Sequence, residues 1–317
     1  MNISQPVAHC LYLLAVIILL ASCNRNSKNS PTDTPTSGEI SISADETFEP
    51  IIRNVITNFQ RVYTNAKIIA SYKAETEVIN DLLNDKSRVI VIARPLNSDE
   101  MNYFHQRQFE PRQNKIATDA VCFIINTNNP DTNLSQSKVR DIMSGKQRLW
   151  SEIDPNSSLK DISIVFDNNS SSIVRYIKDS INGSGQLPLN TYAAASNAAV
   201  VDYVEKNPAA IGVIGVNWIS QGDDSIANNF LRRIKPVAIG SANPSDTNFY
   251  KPFQYYIMQH QYPFLRDVYV ISGEPRMGLG TGFASYLASD EGQRIILRSG
   301  LMPATQPVRV IELRKGF

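Results

Sequence analysis

The chain has 317 residues, 42% of them hydrophobic and 19% charged, which is apolar material for a sizeable core and length for two lobes of ordinary domain size. Its formal net charge of +1 has neither the basic surplus of a nucleic-acid binder nor the block of like charge that marks an interaction tail, so no nucleic-acid partner is expected.

Leu11 to Ala21 is an apolar run too short to span a bilayer, and small and polar residues follow it. Such a run reads as a secretory h-region with a processing site, giving a signal peptide over residues 1–22. Leu20-Ala21-Ser22-Cys23 resembles a bacterial lipobox, which would make Cys23 the lipidated first residue of the mature chain. The segment before Leu11 departs from that pattern, having no Lys or Arg. Residues 23–38, rich in Ser, Thr, Asn and Pro, describe a solvated tether. Cys10 leaves with the leader and Cys122 lies in the apolar run Val121-Cys122-Phe123-Ile124-Ile125, so no disulfide framework is expected and Cys122 reads as a buried small hydrophobe.

Ile40 to Ser43 alternates as a first strand, and Glu49-Pro50 opens a helix whose stripe runs Ile51, Ile52, Val55, Ile56, Phe59, Val62 and Tyr63. Lys67 to Tyr72 predicts a second strand, Val78 to Leu83 a second helix, and Arg88 to Ala93 a third strand. This alternation is the pattern of βαβ units with a parallel sheet covered on both faces, in which ligands bind outside the carboxyl ends of strands. Asp45 to Phe48, Lys73 to Glu77 and Arg94-Pro95-Leu96 are therefore candidate ligand loops. Ile116 to Ile125 is long enough to pass from one lobe to another. Leu134-Ser135 begins a short helix closed by Gly145, and Trp150 follows in a loop. Ala193 to Val204 predicts a helix, Ala210 to Gly215 a buried strand, and Gly222 to Arg233 a polar periphery. Strands are expected at Val237 to Ile239, Tyr255 to Met258, Val268 to Ile271 and Val308 to Leu313. Helices are expected at Phe283 to Leu287 and from Asp290 to Gly300, with Gly278 to Gly282 as a loop.

At Phe166 to Tyr176 a β-patterned run breaks into Ser170-Ser171-Ser172, and Ile173, Ile177 and Ile181 then recur every four residues. The trio either caps the helix or also offers hydroxyls and free backbone N–H groups to an anion at the positive end of the helix dipole. The chain lacks a Gly-x-Ser-x-Gly elbow, a Walker A loop, His-Glu-x-x-His and Cys-x-x-Cys. Only His105 and His260 remain beyond the leader, so no enzyme, metal site or cofactor is expected.

Several segments, in order, resemble the phosphate-type solute-binding proteins of bacterial ABC transporters over nearly the whole mature chain. Asp119-Ala120-Val121 through Asn126 resembles the family's crossover strand, and Leu134 through Ser144-Gly145-Lys146 to Trp150 resembles its helix, turn and Trp. Ala210-Ile211-Gly212, Tyr262-Pro263 with Arg266, Ser289 to Gln293, and Gly300 to Pro303 follow in family order. The resemblance implies an α/β fold of two lobes, a type II-like periplasmic-binding-protein fold whose lobes are each a mostly parallel sheet flanked by helices. It would cover residues 39–317, with lobe 1 at about 39–118 and 240–317 and lobe 2 at about 119–239. It also implies a lipid-anchored protein of the bacterial cell envelope, facing the periplasm, that captures a small oxyanion, phosphate, for an ABC permease.

Thr47-Phe48 is similar to the family's first-loop Thr-Phe pair, Ser170-Ser171-Ser172 stands where it has Ser-Gly-Thr, and Arg94 resembles the arginine that closes its third strand. These are the ligand-binding residues the resemblance implies. The departures are acidic or apolar: Phe166 stands in place of an arginine, Asp45-Glu46 in place of small residues, and Glu75 and Glu77 where Ser and Gly are common. They motivate an alternative, a lipoprotein that keeps the fold as a structural or protein-interaction module, or that binds a different solute.

Overall fold

A computed structural model describes residues 33–183, 185–220 and 225–305 of the chain. The signal peptide, Cys23, most of the tether and the strand expected at Val308 to Leu313 lie outside the described residues. No described helix is long and apolar enough to cross a membrane.

The first half alternates as its periodicity requires: β1 (Gly38–Asp45), α1 (Glu49–Val62), β2 (Ala66–Lys73), α2 (Glu75–Leu83), β3 (Val89–Ile92), α3 (Ser98–His105) and the long β4 (Arg112–Asn126). Then come β5 (Asn133–Leu134), α4 (Gln136–Met143), β6 (Ser163–Phe166), α5 (Ser172–Tyr176), β7 (Thr191–Ala193), α6 (Asn197–Lys206) and β8 (Ala210–Gly215). The last third holds α7 (Ser225–Arg233), β9 (Ile234–Pro236), β10 (Ala238–Gly240), β11 (Phe249–Tyr250), α8 (Gln254–Met258), β12 (Leu265–Ser272), α9 (Leu279–Ala288), α10 (Asp290–Arg298) and β13 (Met302–Pro303).

The main sheet runs β2-β1-β3-β12-β4-β8-β6-β7. Its two ends are parallel, β1 with β2 and β3 on one side, β6 with β7 and β8 on the other. Antiparallel β12 and β4 join them. β4 serves both lobes, since its residues 112–120 pair with β12 and its residues 121–125 with β8. This explains the buried run from Ile116 to Asn126: it has cover on both faces in two successive cores. Apolar clusters divide accordingly, around Val55, Phe59, Val91 and Phe283 in the first lobe and around Phe123, Ile164, Val200 and Ile211 in the second.

Several expectations are corrected. Ile257, Tyr262 and Phe264 pack in the second lobe's core, so the chain returns to the first lobe at β12 and not near residue 240. Tyr255 to Met258 lies in the helical turn α8, where Gln254 Nε2 donates to the carbonyls of Leu297 and Leu301 and fixes the turn against the end of α10. The helix expected from Ala193 starts at Asn197, because Ser196 caps it and Thr191–Ala193 pairs with β6. Gly278 to Gly282 is the entrance and first turn of α9. Its free N–H groups at Gly280 and Thr281 donate to Glu274, and that of Leu279 donates to Asp33. Trp150 is fully buried in a short 3₁₀ turn, its Nε1 donating to the Ala209 carbonyl at 2.9 Å. Part of the polar stretch at Gly222 to Arg233 forms α7, which buries Ala227 and Phe230.

Candidate functional site

The carboxyl ends of β1, β2 and β3 face those of β6, β7 and β8 across the line where the lobes meet. The loops there touch. Asp45 ends β1 fully buried, and its carboxylate accepts the Thr47 N–H at 2.8 Å and, from the other lobe, the Ser172 N–H at 3.2 Å. Glu46 accepts the Asn197 N–H at 3.3 Å and also its side-chain amide. The Asn217 amide donates to the Thr47 carbonyl at 2.8 Å. Glu75, 3% exposed, pairs with Arg175 and accepts the Ala93 N–H at 3.1 Å. Three carboxylates of the first lobe therefore take up donors of the second.

The floor of the junction is a buried ion pair. Arg266 of β12 donates through Nε and Nη2 to Asp119 Oδ2 of β4, at 2.9 and 2.7 Å, while its Nη1 reaches Ser172 Oγ at 2.8 Å. The guanidinium lies 5.1 Å from the centre of the Phe48 ring, close enough for a cation–π contact. Burial pulls the Arg266 pKa down, but Asp119, Asp45 and Glu75 more than offset this and it stands above its ordinary value. Its charge is permanent. Gly215 is required at the end of β8, since a Cβ there would come within 2.4 Å of Thr47 Cγ2.

Of the residues predicted to bind a ligand, the junction collects Thr47, Phe48, Ser171 and Ser172. Thr47 and Phe48 are fully buried, and Thr47 Oγ1 has no hydrogen-bond partner. Ser172 contributes its N–H to Asp45 and its hydroxyl to Arg266. Ser171 performs the capping role, accepting the Val174 N–H at 3.2 Å while donating to Asp167 at 2.6 Å. Ser170 is exposed, with its N–H on Asn168 Oδ1 and its carbonyl accepting from Thr76. Arg94 turns its guanidinium to Glu100 in two bonds of 2.7 Å, and lies 3.6 Å from Glu75.

Sequence reasoning missed Asn197, Asn217 and Asp119 as parts of this junction, and took Arg266 only as a family landmark. The amides carried no local signal. Asp119 and Arg266 did carry one: a charge inside an otherwise apolar strand must find a partner or unfold the strand. The partner is 147 residues away in sequence, so the pairing could be required but not located.

The acids repel one another, and burial adds to this. Burial and then the charge of Glu75 push the Asp45 carboxyl above its ordinary value. Burial, with help from the Asp167 charge, raises Glu46 to about 7, although the Asn197 hydrogen bonds oppose it. Burial and Asp45 raise Asp167 to about 6. Cys122, fully buried, has a thiol pushed above its ordinary value by burial, consistent with an inert core residue. Among the described residues no cluster of His, Cys, Asp and Glu is arranged to hold a metal ion.

Residues 29–291 match the family model of the PBP superfamily domain. Among curated relatives, the phosphate-binding protein PstS of Staphylococcus epidermidis strain RP62A is 22% identical over 285 residues, covering 89% of this chain and 84% of that one. Among solved structures, a Clostridium perfringens protein with bound phosphate, described as a phosphate ABC transporter substrate-binding protein, superposes with a TM-score of 0.71 at 18% identity. That alignment covers 84% of this chain and all of the other. An ABC-type phosphate transport receptor from Vibrio cholerae superposes with a TM-score of 0.61 at 18% identity, over 83% of this chain and 99% of the other. These likenesses establish the two-lobed α/β fold.

Proposed function

The chain belongs to the PBP superfamily, and we propose that it is an extracytoplasmic solute-binding lipoprotein whose two lobes close on a small oxyanion, phosphate, and present it to an ABC permease. The observation that carries this reading is convergence. A backbone N–H from each lobe, at Thr47 and Ser172, converges on one buried point suited to an anion, and the Arg266 guanidinium, hydrogen-bonded to Asp119 and Ser172 Oγ, lends its positive charge beside it. Thr47 Oγ1 adds an unspent hydroxyl beside it. The relatives whose names describe phosphate binding or phosphate transport support the choice of phosphate among oxyanions. Thr47, Phe48, Ser171 and Ser172 are the proposed ligand residues, with Ser170 and Arg94 at the margin. Cys23 is the proposed lipid attachment point.

Equilibrium dialysis of the full chain in detergent against inorganic phosphate, with sulfate and molybdate in parallel, tests the reading. Saturable phosphate uptake is expected, and Ser172→Pro should abolish it. Proline is tolerated at the first helical position and removes both the N–H in question and the hydroxyl that accepts from Arg266, while Ser171 before it, at φ −76° and ψ 161°, already has the backbone that a following proline needs. A folded chain that takes up no oxyanion would overturn it. The carboxylates of Asp45, Glu46 and Glu75, which already engage second-lobe donors, favour a second reading as a closed module with a structural or protein-binding task, and that outcome would leave it standing.

A further inference from the structure

We propose that Asp45 is the cleft's built-in anion: its carboxylate occupies the oxyanion position, closes the lobes in the absence of solute, and sets the affinity for phosphate because phosphate must displace it. This rests on the oxyanion reading for the identity of the competitor, though not for the latch itself.

An oxyanion held between two such lobes needs donors from both sides, and the Asp45 carboxylate has them: Thr47 N–H at 2.8 Å from its own lobe, and Ser172 N–H at 3.2 Å from the other. Arg266, which shares its third nitrogen with Ser172 Oγ, supplies the positive charge an anion there requires. The side chain stands on the last residue of β1, a strand held in register on both sides by β2 and β3, so the carboxylate is delivered by a rigid element. Asp45, Thr47 and Ser172 are all fully buried, so the donors that the carboxylate holds are closed to solvent. The latch is one of three. Glu46 on Asn197 and Glu75 on Arg175 repeat the arrangement on either side, but only Asp45 bonds helix-entry N–H groups of both lobes at once.

The groups facing Asp45 are Glu46 and Thr47 on its own loop, Ser172 from α5, Arg266 from β12, Asp119 from β4, Asp167 after β6 and Glu75 from α2. Removing its charge therefore relieves repulsion with Glu46, Asp119, Asp167 and Glu75 while freeing the two N–H donors.

The test uses the full chain in detergent with spin-labelled unnatural amino acids at the exposed positions Glu77 and Asn169, one on each lobe, and compares the native residue with Asp45→Ala and Asp45→Asn. With Asp45 present, the label separation should be short and unchanged by inorganic phosphate. Asp45→Ala should lengthen it without phosphate, restore it with phosphate, and tighten phosphate binding at least tenfold, about 1.4 kcal/mol. Asp45→Asn keeps the shape and guards against a folding defect; it should lie between the two. If Asp45→Ala stays closed and binds phosphate no more tightly than the native chain, the latch is overturned while the oxyanion reading stands. If Asp45→Ala opens but neither chain binds phosphate, the latch stands and the oxyanion reading fails.

Discussion

The two faces of the cleft are built alike and carry opposite chemistry. On each side parallel strands end in loops that start helices, the arrangement that gathers unpaired N–H groups and suits an anion. The second lobe follows that logic, with Ser172 N–H, Asn197 and Arg175 all pointing donors at its partner. The first lobe places Asp45, Glu46 and Glu75 at its corresponding loops. The scaffold thus decides where a charged group will meet the other lobe, and a few loop residues decide its sign. One consequence is energetic. At an effective dielectric of about 20, a second anion 4 Å from one of these carboxylates would meet roughly 4 kcal/mol of repulsion. Solute and native carboxylate cannot both hold the same donors.

The largest effect is expected at the floor that both faces share. Arg266→Leu should destabilise the chain by about 3–5 kcal/mol in urea unfolding, because it leaves the fully buried Asp119 without its counter-charge. A loss below about 1 kcal/mol would mean that Asp119 is neutral or hydrated and that the pair does not hold β4 to β12.

Glu75→Gln should cost about 1–3 kcal/mol, since it neutralises the acid that pairs with Arg175 across the cleft and accepts the Ala93 N–H. The matching change on the donor face, Arg175→Gln, should cost a similar amount, and the double variant less than the sum of the two. Additive losses would show that the pair does not link the faces.

The pH dependence of stability sharpens the comparison further. Glu46, raised from 4.5 to about 7, and Asp167, raised from 3.8 to about 6, hold protons in the folded chain that they release when unfolded. The folded chain therefore binds more protons than the unfolded one between those limits, and stability falls as pH rises through them. The Tm should be higher near pH 5.5 than near pH 7.5, and Glu46→Gln should flatten the difference. Asp33, Asp81 and Glu100, whose pKa values are lowered, act in the opposite sense below that window.

Arg94→Gln should have the smallest effect on the cleft. Its guanidinium is committed to Glu100, so phosphate affinity should change less than twofold while stability falls by about 1 kcal/mol. A tenfold loss of affinity would return Arg94 to the ligand set.

The sequence alone carried the alternation of strands and helices through Ile92, the lobe-spanning run inside Arg112–Asn126, the cap at Ser171 and the terminating Gly145 and Gly300. These follow from periodicity, capping chemistry and positive φ, which are local. It also marked Asp45, Glu46 and Glu75 as discordant in an anion site, from their charge. Tertiary structure alone decided what those acids do. The N–H groups that Asp45 accepts lie two and 127 residues away, and the amide that Glu46 accepts lies 151 residues away. The same holds for the glycine-rich entrance of α9, helical because Asp33 and Glu274 accept its free N–H groups. A hydrogen bond between distant segments leaves no periodicity in either one. Sequence could therefore state that each buried charge needs a partner, and only the packing of the two lobes could supply it.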